Sequence, residues 1–263
     1  MKIVSLVSSC RKDGNTARIA AILENELISA GKLKNIEVKI ERVVPGLLDI
    51  RMCLGCRACF NKGEDFCPLK DDLLSLRDKF VDADGIIAGS PVYVEDVNGA
   101  MKNLIDRLAF NCHRPGLTGK VVFFYTTSGA GSSNHSIRTM KTAFGTWGCH
   151  NIGSHRFRTG ALMKTDDMEE KYGRVIKKTA GKLIHAISNG SSAKPSVFSL
   201  IAFTVQQACW LREGIDKNSV DYKYWYDNGW LEKGCKYYFR HGANPLKAGF
   251  SNLLGRIAAL FFI

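Results

Sequence analysis

Four cysteines within one short stretch carry the clearest chemical signal in the sequence. Cys53, Cys56 and Cys59 occupy every third position, and Cys67 follows after seven further residues, directly before Pro68. A tight turn with this spacing directs three thiolates towards one centre, and a fourth can approach from the following loop. Cubane iron–sulfur clusters are held by four thiolates, and the bacterial ferredoxin run has a similar Cys-x2-Cys-x2-Cys spacing with a later Cys-Pro. The stretch therefore predicts a [4Fe–4S] cluster with these four cysteines as ligands.

Two other interpretations of these cysteines stay open at the level of sequence. Zinc is the first, although structural zinc sites more often take two Cys-x2-Cys or Cys/His pairs from separate segments. The second is four reduced thiols that bind no metal. Several cysteines and histidines outside this stretch could also be metal ligands, but we expect them to be packed or surface residues. No two of the histidines have metal-ligand spacing on one helix. These residues are Cys112, Cys149, Cys209, Cys235 and the six histidines.

A polar loop near the start of the chain has the composition of an anion site. Residues 8–16 read Ser-Ser-Cys-Arg-Lys-Asp-Gly-Asn-Thr and lie between an apolar run and a helical pattern. The N–H groups and the dipole of a helix start favour negative charge, and hydroxyl groups can complete the binding of a phosphate. The segment therefore predicts a phosphate site, although many strand-to-helix turns contain Ser, Gly and Thr.

The apolar pattern predicts the elements that position these loops. Strands are expected at 2–7, 35–44, 84–90, 121–125 and 149–157. Helices are expected from Thr16 to Gly31, from a cap at Asp71 and Asp72 through Phe80, at 99–110, from Ser133 to about Trp147, and at 166–188. This alternation predicts a doubly wound α/β domain with a five-stranded parallel sheet. Ligands of such sheets bind beyond the carboxyl ends of the strands, where the strand order reverses.

Polar loops follow the first, third and fourth predicted strands, and together they suit a flat ligand that carries a phosphate. The first of them is the anion loop. The third strand leads into Pro91, Val92 and Tyr93, and the tyrosine ring could lie against a heterocycle. The fourth strand leads into Gly129 and Gly131, which let the backbone approach such a ring closely.

The composition changes near residue 190. Three of the four tryptophans and five of the eight tyrosines lie beyond residue 209. We therefore divide the chain into a domain at 1–190, with a cysteine-rich loop at 50–70, and an aromatic-rich, mostly helical extension at 191–263. Helices are expected at 197–211 and from Pro245 onwards. The extension is expected to pack on its own or a neighbouring core; covering the ligand site and lying on a membrane are the alternatives.

The net charge of +12 is unevenly distributed. Between Arg107 and Lys164 there are eight Lys or Arg residues and no Asp or Glu. This basic stretch predicts either a solvated face or a landing site for an acidic protein, a nucleotide phosphate or an anionic membrane. Nucleic acid is not expected, because no recognition motif is present. Nine cysteines, four of them clustered, without a secretory signal predict a cytoplasmic protein.

These motifs resemble those of the NADPH-dependent FMN reductases of the flavodoxin-like fold, and among them the iron–sulfur flavoproteins. The family's phosphate loop typically reads Gly-Ser-Pro-Arg-Lys-x-Gly-Asn-Thr and is matched by residues 8–16, with Cys10 in place of the proline. Its second signature, Ser-Pro-Val-Tyr before a helix that ends Asp-Arg, is matched by Ser90–Tyr93 and by Asp106 and Arg107. The resemblance covers about residues 1–188 and implies the strand order 2-1-3-4-5.

The resemblance also implies the cofactors and their ligands. FMN would be held through its phosphate by Ser9, Arg11, Asn15 and Thr16. Its isoalloxazine edge would lie along Pro91, Val92 and Tyr93, and the opposite side of the ring would meet residues 127–132, among them Thr127, Ser128, Gly129 and Gly131. The compact four-cysteine motif marks the members that carry a [4Fe–4S] cluster.

The function implied by the resemblance is electron transfer between a ferredoxin-like or NAD(P)H donor and an acceptor, in a homodimer or homotetramer. The basic stretch would suit an acidic partner such as ferredoxin. The alternative is an NAD(P)H-dependent FMN oxidoreductase that reduces quinones or other small acceptors without a cluster. A redox or metal sensor is the non-enzymatic alternative.

Overall fold

The computed structural model describes residues 1–131, 133–190 and 194–261. Its strands are β1 (Lys2–Val7), β2 (Lys39–Val43), β3 (Gly85–Tyr93), β4 (Asp96–Val97), β5 (Val121–Ser128) and β6 (His150–Arg158). Its helices are α1 (Asn15–Lys32), α2 (Ala58–Asn61), α3 (Leu73–Asp82), α4 (Gly99–Arg107), α5 (Asn134–Thr146), α6 (Thr165–Ser188), α7 (Val197–Leu211), α8 (Val220–Asp227) and α9 (Pro245–Ala259).

Five of the strands form a parallel sheet in the order β2-β1-β3-β5-β6. Ile3 pairs with Ile40 on one side and with Gly85 on the other, and Gly85 in turn pairs with Val121. The strand order reverses between β1 and β3, so a ligand crevice is expected beyond their carboxyl ends. The predicted doubly wound fold, with the order 2-1-3-4-5 for its five parallel strands, is confirmed.

A sixth strand, β4, is missing from the sequence prediction. It pairs antiparallel with the end of β3, with Val92 opposite Val97 and Tyr93 opposite Asp96. The two turn residues, Val94 and Glu95, have left-handed φ angles of 50° and 67°. Such two-residue turns usually contain Asn or Gly, so the local sequence gives no signal for this hairpin.

The second strand is shorter than the predicted range of 35–44. Asn35 has a left-handed φ of 55°, and the Ile36 N–H donates to the Gly31 carbonyl at 3.0 Å. These two residues therefore complete the end of α1, and β2 begins only at Lys39.

Apolar side chains pack on both faces of the sheet. Helices α1 and α6 cover one face with residues such as Leu23 and Ile176, and α3, α4 and α5 cover the other. The tightest contact within the sheet joins β3 and β5, where the Tyr125 ring lies across Gly89. A Cβ at Gly89 would be 2.0 Å from Cζ of Tyr125, so this approach requires glycine.

The extension has a separate aromatic core. Its buried members are Leu200, Phe203, Trp225, Trp230, Tyr237 and Tyr238. The Trp225 indole N–H donates to the His113 carbonyl at 2.7 Å, which ties this core to the loop that follows α4. None of the helices in the described ranges combines the length and the hydropathy needed to cross a bilayer.

Candidate cofactor sites

The loop from Ser8 to Gly14 connects β1 to α1 at the carboxyl edge of the sheet. Ser9 is buried and its hydroxyl accepts a hydrogen bond from the Arg11 N–H at 3.4 Å, whereas the Arg11 side chain is exposed. The described residues supply no side-chain cap for α1, and its first turn contains no acidic residue. The N–H groups at the start of this helix are therefore available to an anion. A cavity of about 320 Å³ lies beside the loop, lined in part by Ser9, Arg11 and Lys12.

A buried hydroxyl in the same loop also lacks a partner. Ser8 is fully buried, and its Oγ makes no hydrogen bond within the described part of the chain. Buried polar atoms are usually paired, so an unpaired one beside a free helix start indicates a missing acceptor or donor. The loop therefore fits the terminal phosphate of FMN.

Two predicted phosphate ligands are already hydrogen-bonded to neighbouring loops. Thr16 Oγ1 lies 2.7 Å from Thr127 Oγ1 in a fully buried contact. Asn15 Nδ2 donates to Thr159 Oγ1 at 2.7 Å and to the Gly160 carbonyl at 2.5 Å. These bonds fix the start of α1 against the ends of β5 and β6, so Asn15 and Thr16 hold the loop in place.

The hairpin of β3 and β4 lies at the same carboxyl edge of the sheet, outside the lining of the cavity of about 320 Å³. Pro91 is buried, Val92 is half-buried and the Tyr93 ring is 56% exposed. Helix α5 fixes the hairpin, because Ser136 Oγ donates to the Glu95 carbonyl at 3.3 Å and Thr139 Oγ1 donates to Asp96 Oδ2 at 3.1 Å. A flat ring could therefore lie against Tyr93 without displacing protein.

The loop after β5 lies beside this hairpin. Thr127 and Ser128 are buried, and Gly129 and Gly131 are exposed. Apart from the chain neighbours, no residue that the structure describes has an atom within 4 Å of a Cβ placed on either glycine. Ser132, also expected in this loop, lies outside the described residues. The open space above the two glycines fits the predicted approach of a ring.

Asn98 is a positioning residue that the sequence analysis missed. Its Nδ2 donates to the Ser8 carbonyl at 2.8 Å, its N–H donates to Ser90 Oγ at 3.2 Å, and its Oδ1 caps α4 by accepting from the Met101 N–H at 3.2 Å. One residue thus joins the phosphate loop and the start of α4 through its side chain, and the end of β3 through its backbone N–H. An Asn directly before a helix predicts a helix cap from sequence alone. The hydrogen bond from Asn98 to Ser8 could not be predicted in this way.

The four predicted cluster ligands line one cavity of about 80 Å³. Its lining includes Cys53, Cys56, Cys59 and Cys67, with Phe60, Leu73 and Phe110 among the apolar residues. Cys53 and Cys56 are exposed, and Cys59 and Cys67 are half-buried. Burial and the neighbouring Cys67 thiol raise the pKa of Cys59. The four cysteines therefore lie around a common cavity, and their assignment as cluster ligands stays a prediction.

The thiols are not arranged as a finished metal site. The part of the chain that the structure describes contains no group of three or more His, Cys, Asp or Glu side chains placed to hold an ion. Left-handed φ angles at Gly55 (64°) and Arg57 (60°) turn the loop sharply between the first three cysteines. Four sulfurs line the cavity, which suits iron–sulfur or zinc chemistry, and the carboxylates of Glu64 and Asp106 line it as well.

A buried arginine from α4 anchors the cysteine loop. Arg107 Nη1 donates to Asp71 Oδ2 at 2.6 Å and to the Arg51 carbonyl at 2.6 Å, and its Nη2 lies 3.9 Å from Cys67 Sγ. Burial would raise the pKa of Asp71, but the bonds from Arg107 and from the N–H groups of Arg51 and Leu73 hold that pKa below its usual value. Asp71 was expected to cap α3, and its Oδ1 accepts from the N–H of Leu73, the first residue of α3, at 3.3 Å. The same carboxylate also accepts from Arg107 and from the Arg51 N–H, so it joins three segments of the chain.

Arg114, in the segment after α4, links the same loop to the extension. Arg114 Nη2 donates to the Cys59 carbonyl at 2.7 Å and to Glu64 Oε2 at 2.9 Å, while its Nη1 donates to Asp221 at the start of α8. Asp221 Oδ2 also lies 2.7 Å from His113 Nδ1. The extension therefore packs against the cysteine loop, whereas covering of the ligand crevice was one of the alternatives from sequence.

The two candidate sites share α4. Asn98 caps its first turn at the phosphate loop, and Arg107 ends its last turn at the cysteine loop. Nine residues at 1.5 Å each put the two ends about 13 Å apart. The chain entering the cysteine loop also touches the phosphate loop, since a Cβ at Gly46 would be 2.2 Å from Cys10 Sγ.

The basic stretch at 107–164 does not lie entirely on the surface. Arg107 and Arg114, two of its eight cations, are each 4% exposed and occupied in the ion pairs described above. The exposed members are Arg138, Arg156, Arg158 and Lys164. An electrostatic landing site would therefore be formed by the part of the stretch around α5 and β6.

The parallel sheet, the free helix start and the exposed hairpin together define a flavodoxin-like protein with a crevice for a flat, phosphate-bearing cofactor. Residues 1–161 match the family model described as NADPH-dependent FMN reductase. The chain belongs to the NADPH-dependent FMN reductase family and is a flavoprotein oxidoreductase. The resemblance drawn from the sequence motifs is thereby confirmed.

Two proteins similar to this chain are described as iron-sulfur flavoproteins. An iron-sulfur flavoprotein of Archaeoglobus fulgidus is 26% identical over 234 residues, which cover 88% of this chain and 100% of that protein. An iron-sulfur flavoprotein of Methanocaldococcus jannaschii is 35% identical over 107 residues, which cover 41% of this chain and 51% of that protein.

Solved structures share the fold at lower identity. The crystal structure of RosB with bound 8-demethyl-8-formylriboflavin-5'-phosphate gives a TM-score of 0.58 at 14% identity, and the match covers 82% of this chain and 89% of that one. FerB, a flavoenzyme NAD(P)H:(acceptor) oxidoreductase from Paracoccus denitrificans, gives a TM-score of 0.52 at 16% identity, with 72% and 98% covered.

Proposed function

We propose that this protein is an iron–sulfur flavoprotein that transfers electrons between a ferredoxin-like or NAD(P)H donor and an acceptor, using FMN and a [4Fe–4S] cluster. The observation that carries the proposal is the common cavity lined by Cys53, Cys56, Cys59 and Cys67. The names of the relatives from two archaea support it, because both are called iron-sulfur flavoproteins.

The surroundings of the cavity suit a cluster with negative charge. The Arg107 guanidinium, 3.9 Å from Cys67 Sγ, places a fixed cation beside the thiolates. Arg114 is 4% exposed and donates to the Cys59 carbonyl. Hydrogen bonds, burial and nearby charge are the means by which a protein sets the potential of such a cluster.

The flavin would occupy the crevice beyond β1, β3 and β5. The phosphate would lie at the start of α1 among Ser9, Arg11, Asn15 and Thr16, and the ring would lie between Tyr93 and the Gly129–Gly131 turn. When bound, FMN exchanges one or two electrons and a cubane cluster exchanges one, so the pair would connect two-electron carriers with one-electron carriers. The chain's own part is to hold the two sites at opposite ends of α4.

The partners follow from the surface charge. The exposed cations around α5 and β6 would attract an acidic electron-transfer protein such as ferredoxin, whose association rate would then fall as salt rises. NAD(P)H is the second candidate donor. We also propose a homodimer or homotetramer, in which the exposed Tyr93 hairpin would approach a neighbouring subunit.

A second function is favoured by one observation. The described thiols are not placed to hold an ion, which suits an NAD(P)H-dependent FMN oxidoreductase that reduces quinones or other small acceptors without a cluster. In that case the cysteine loop would be a structural element, or would hold zinc.

The two functions are separated by comparing electron donors in the wild type and in Cys59→Ser. The proposal predicts rapid oxidation of reduced ferredoxin by the wild type, and loss of that reaction in Cys59→Ser with its FMN retained. Cys209→Ser, which changes a half-buried cysteine of α7 outside the cavity, serves as the control and should behave as the wild type. Equal NADPH-dependent quinone reduction by all three proteins, with no ferredoxin reaction, would establish the second function instead.

A further inference from the structure

Helix α9 places its small residues inward and its large apolar residues outward. Ser251, Gly255 and Ala259 are buried against α7, where a Cβ at Gly255 would lie 2.6 Å from Cβ of Thr204. Soluble helices normally show the reverse arrangement, with the large apolar side chains in the core. The outward residues therefore call for a partner that the described chain does not supply.

The outward residues form one continuous feature, which we call the α9 apolar stripe. Its members are Leu246, Phe250, Leu253 and Ile257 on the helix and Leu260 and Phe261 directly after it, and each is between 47% and 84% exposed. At 3.6 residues per turn they fall within an arc of about 100°. Contiguous exposed apolar surface of this kind marks an interaction site.

Basic residues flank the stripe on both sides. Lys247 and Arg256 project to opposite sides of it at helical spacing, and α9 contains no acidic residue. The Lys247 ammonium also donates to the Pro195 carbonyl at 2.9 Å. Arg256 also shares a cavity of about 400 Å³ with Lys233, Lys236 and Glu232. The rim of the stripe therefore carries more positive than negative charge.

Charge decides which partner fits. The 4-3-4 spacing of the helical stripe residues would suit a second copy of α9, but a pair of these helices would bring Lys and Arg together without acidic partners. An anionic lipid surface has the complementary charge, because lysine and arginine heads reach the phosphates while the apolar side chains enter the acyl boundary.

We propose that the α9 apolar stripe docks on the surface of an anionic phospholipid bilayer. The helix lies along the surface, since its small-residue face is occupied by α7 and only the stripe can enter the lipid. The protein is thereby held at the membrane by the extension, while the cysteine cavity and the flavin crevice belong to other parts of the chain. The docking does not depend on the proposed electron-transfer function.

Flotation with vesicles tests this directly. The full chain with its bound flavin is mixed with vesicles of phosphatidylglycerol and phosphatidylcholine, or with phosphatidylcholine alone, and protein in the floated layer is measured by the FMN absorbance. The wild type should float with the anionic vesicles, and raised salt should reduce this binding. Leu253→Glu should weaken vesicle binding about tenfold or more, because a leucine that enters the acyl region of the bilayer is replaced by a negative charge next to anionic lipid.

Matched variants keep the result interpretable. Leu162→Glu introduces the same charge at a leucine that is 92% exposed but lies outside α9, and it should bind like the wild type. Circular dichroism melts of both variants should match that of the wild type. Failure of the wild type to float with anionic vesicles, or equal flotation of Leu253→Glu, would overturn the proposal. A wild-type dimer that Leu253→Glu dissociates, without vesicle binding, would overturn it in favour of the second copy.

Discussion

The guanidinium of Arg107 and the carboxylate of Asp71 form a bidentate ion pair, at 2.6 Å and 3.1 Å, whose side chains are 2% and 1% exposed. The pair joins the end of α4 to both ends of the cysteine loop, because Arg107 also donates to the Arg51 carbonyl and lies beside Cys67. The geometry of the four thiols therefore depends on a residue outside the cysteine motif.

Removing Arg107 should destabilise the protein strongly. Arg107→Met leaves the buried Asp71 carboxylate with only the half-exposed Arg51 guanidinium, whose Nε lies 3.8 Å away. Breaking a buried pair costs about 3–5 kcal/mol in comparable sites. Lys102→Met breaks the Lys102–Asp106 pair on the same helix, whose side chains are 55% and 46% exposed, and should change the free energy of unfolding by no more than about 0.5 kcal/mol. Urea unfolding of the two variants measures the difference; similar small losses in both would show that the buried pair has no special role.

Asn98 should control flavin affinity through the phosphate loop. Asn98→Ala removes the donor to the Ser8 carbonyl, so we expect the FMN dissociation constant to rise about tenfold, or about 1.4 kcal/mol. The lost helix cap should also reduce stability by about 1 kcal/mol. Fluorescence titration of the apoprotein with FMN gives the first value and urea unfolding gives the second.

Asn244→Ala provides the comparison for that variant. Asn244 caps α9 by accepting from the Leu246 N–H at 2.8 Å, so its loss should lower stability to a similar extent. Its FMN affinity should equal that of the wild type. If both alanine variants bind FMN equally well, the hydrogen bond to Ser8 does not position the loop.

Gly89 should tolerate no side chain. The Cβ of Gly89→Ala would overlap the Tyr125 ring at 2.0 Å, and overpacking of this kind should reduce the free energy of unfolding by about 3 kcal/mol. Adding Tyr125→Leu should recover part of the loss, whereas Gly173→Ala, in open space on α6, should stabilise by about 0.5–1 kcal/mol. Thermal melts measure the stability of all three variants. A melting temperature of Gly89→Ala equal to that of the wild type would contradict the close approach of β3 and β5.

Stability should fall in mild acid in part because of His155, since burial lowers the pKa of His155 and also those of His150 and His241. Burial, and then the neighbouring Arg156, lower the pKa of His155 in the folded protein. The unfolded state therefore binds more protons as the pH falls below about 6.5, and stability decreases in that direction. His155→Phe keeps the ring contact with Phe157 and should flatten this dependence, whereas His135→Phe on the exposed face of α5 should not. Urea unfolding from about pH 8 to pH 5 measures the slopes, and parallel slopes for wild type and His155→Phe would refute the assignment.

Local patterns predicted the sheet well. The strands and helices of the first domain follow from apolar periodicity, and the order of the five parallel strands follows from the matched loops. The β3–β4 hairpin was missed because Val94 and Glu95 take left-handed conformations that their residue types do not favour. The conformation of this turn depends on tertiary contacts with α5, so the local sequence does not predict it.

The residues that hold the candidate sites in place were harder to predict than the candidate ligands. The spacing of the four cysteines predicted that their thiols lie near one another, and the structure places them around one cavity. The partners that hold this loop come from far along the chain: Asp71 and Arg107 are 36 residues apart, and Arg114 and Asp221 are 107 apart. No periodicity links such positions, so a charged residue near a helix start, such as Asp71, resembles an ordinary cap until the fold is known.

The content of iron, acid-labile sulfide, zinc and FMN in anaerobically purified protein tests the central claim most directly. The account predicts about four irons and four sulfides with one FMN per chain, and loss of the iron but not of the FMN in Cys59→Ser. One FMN per chain without iron, or with one zinc in place of iron, would contradict the assignment of Cys53, Cys56, Cys59 and Cys67 as cluster ligands.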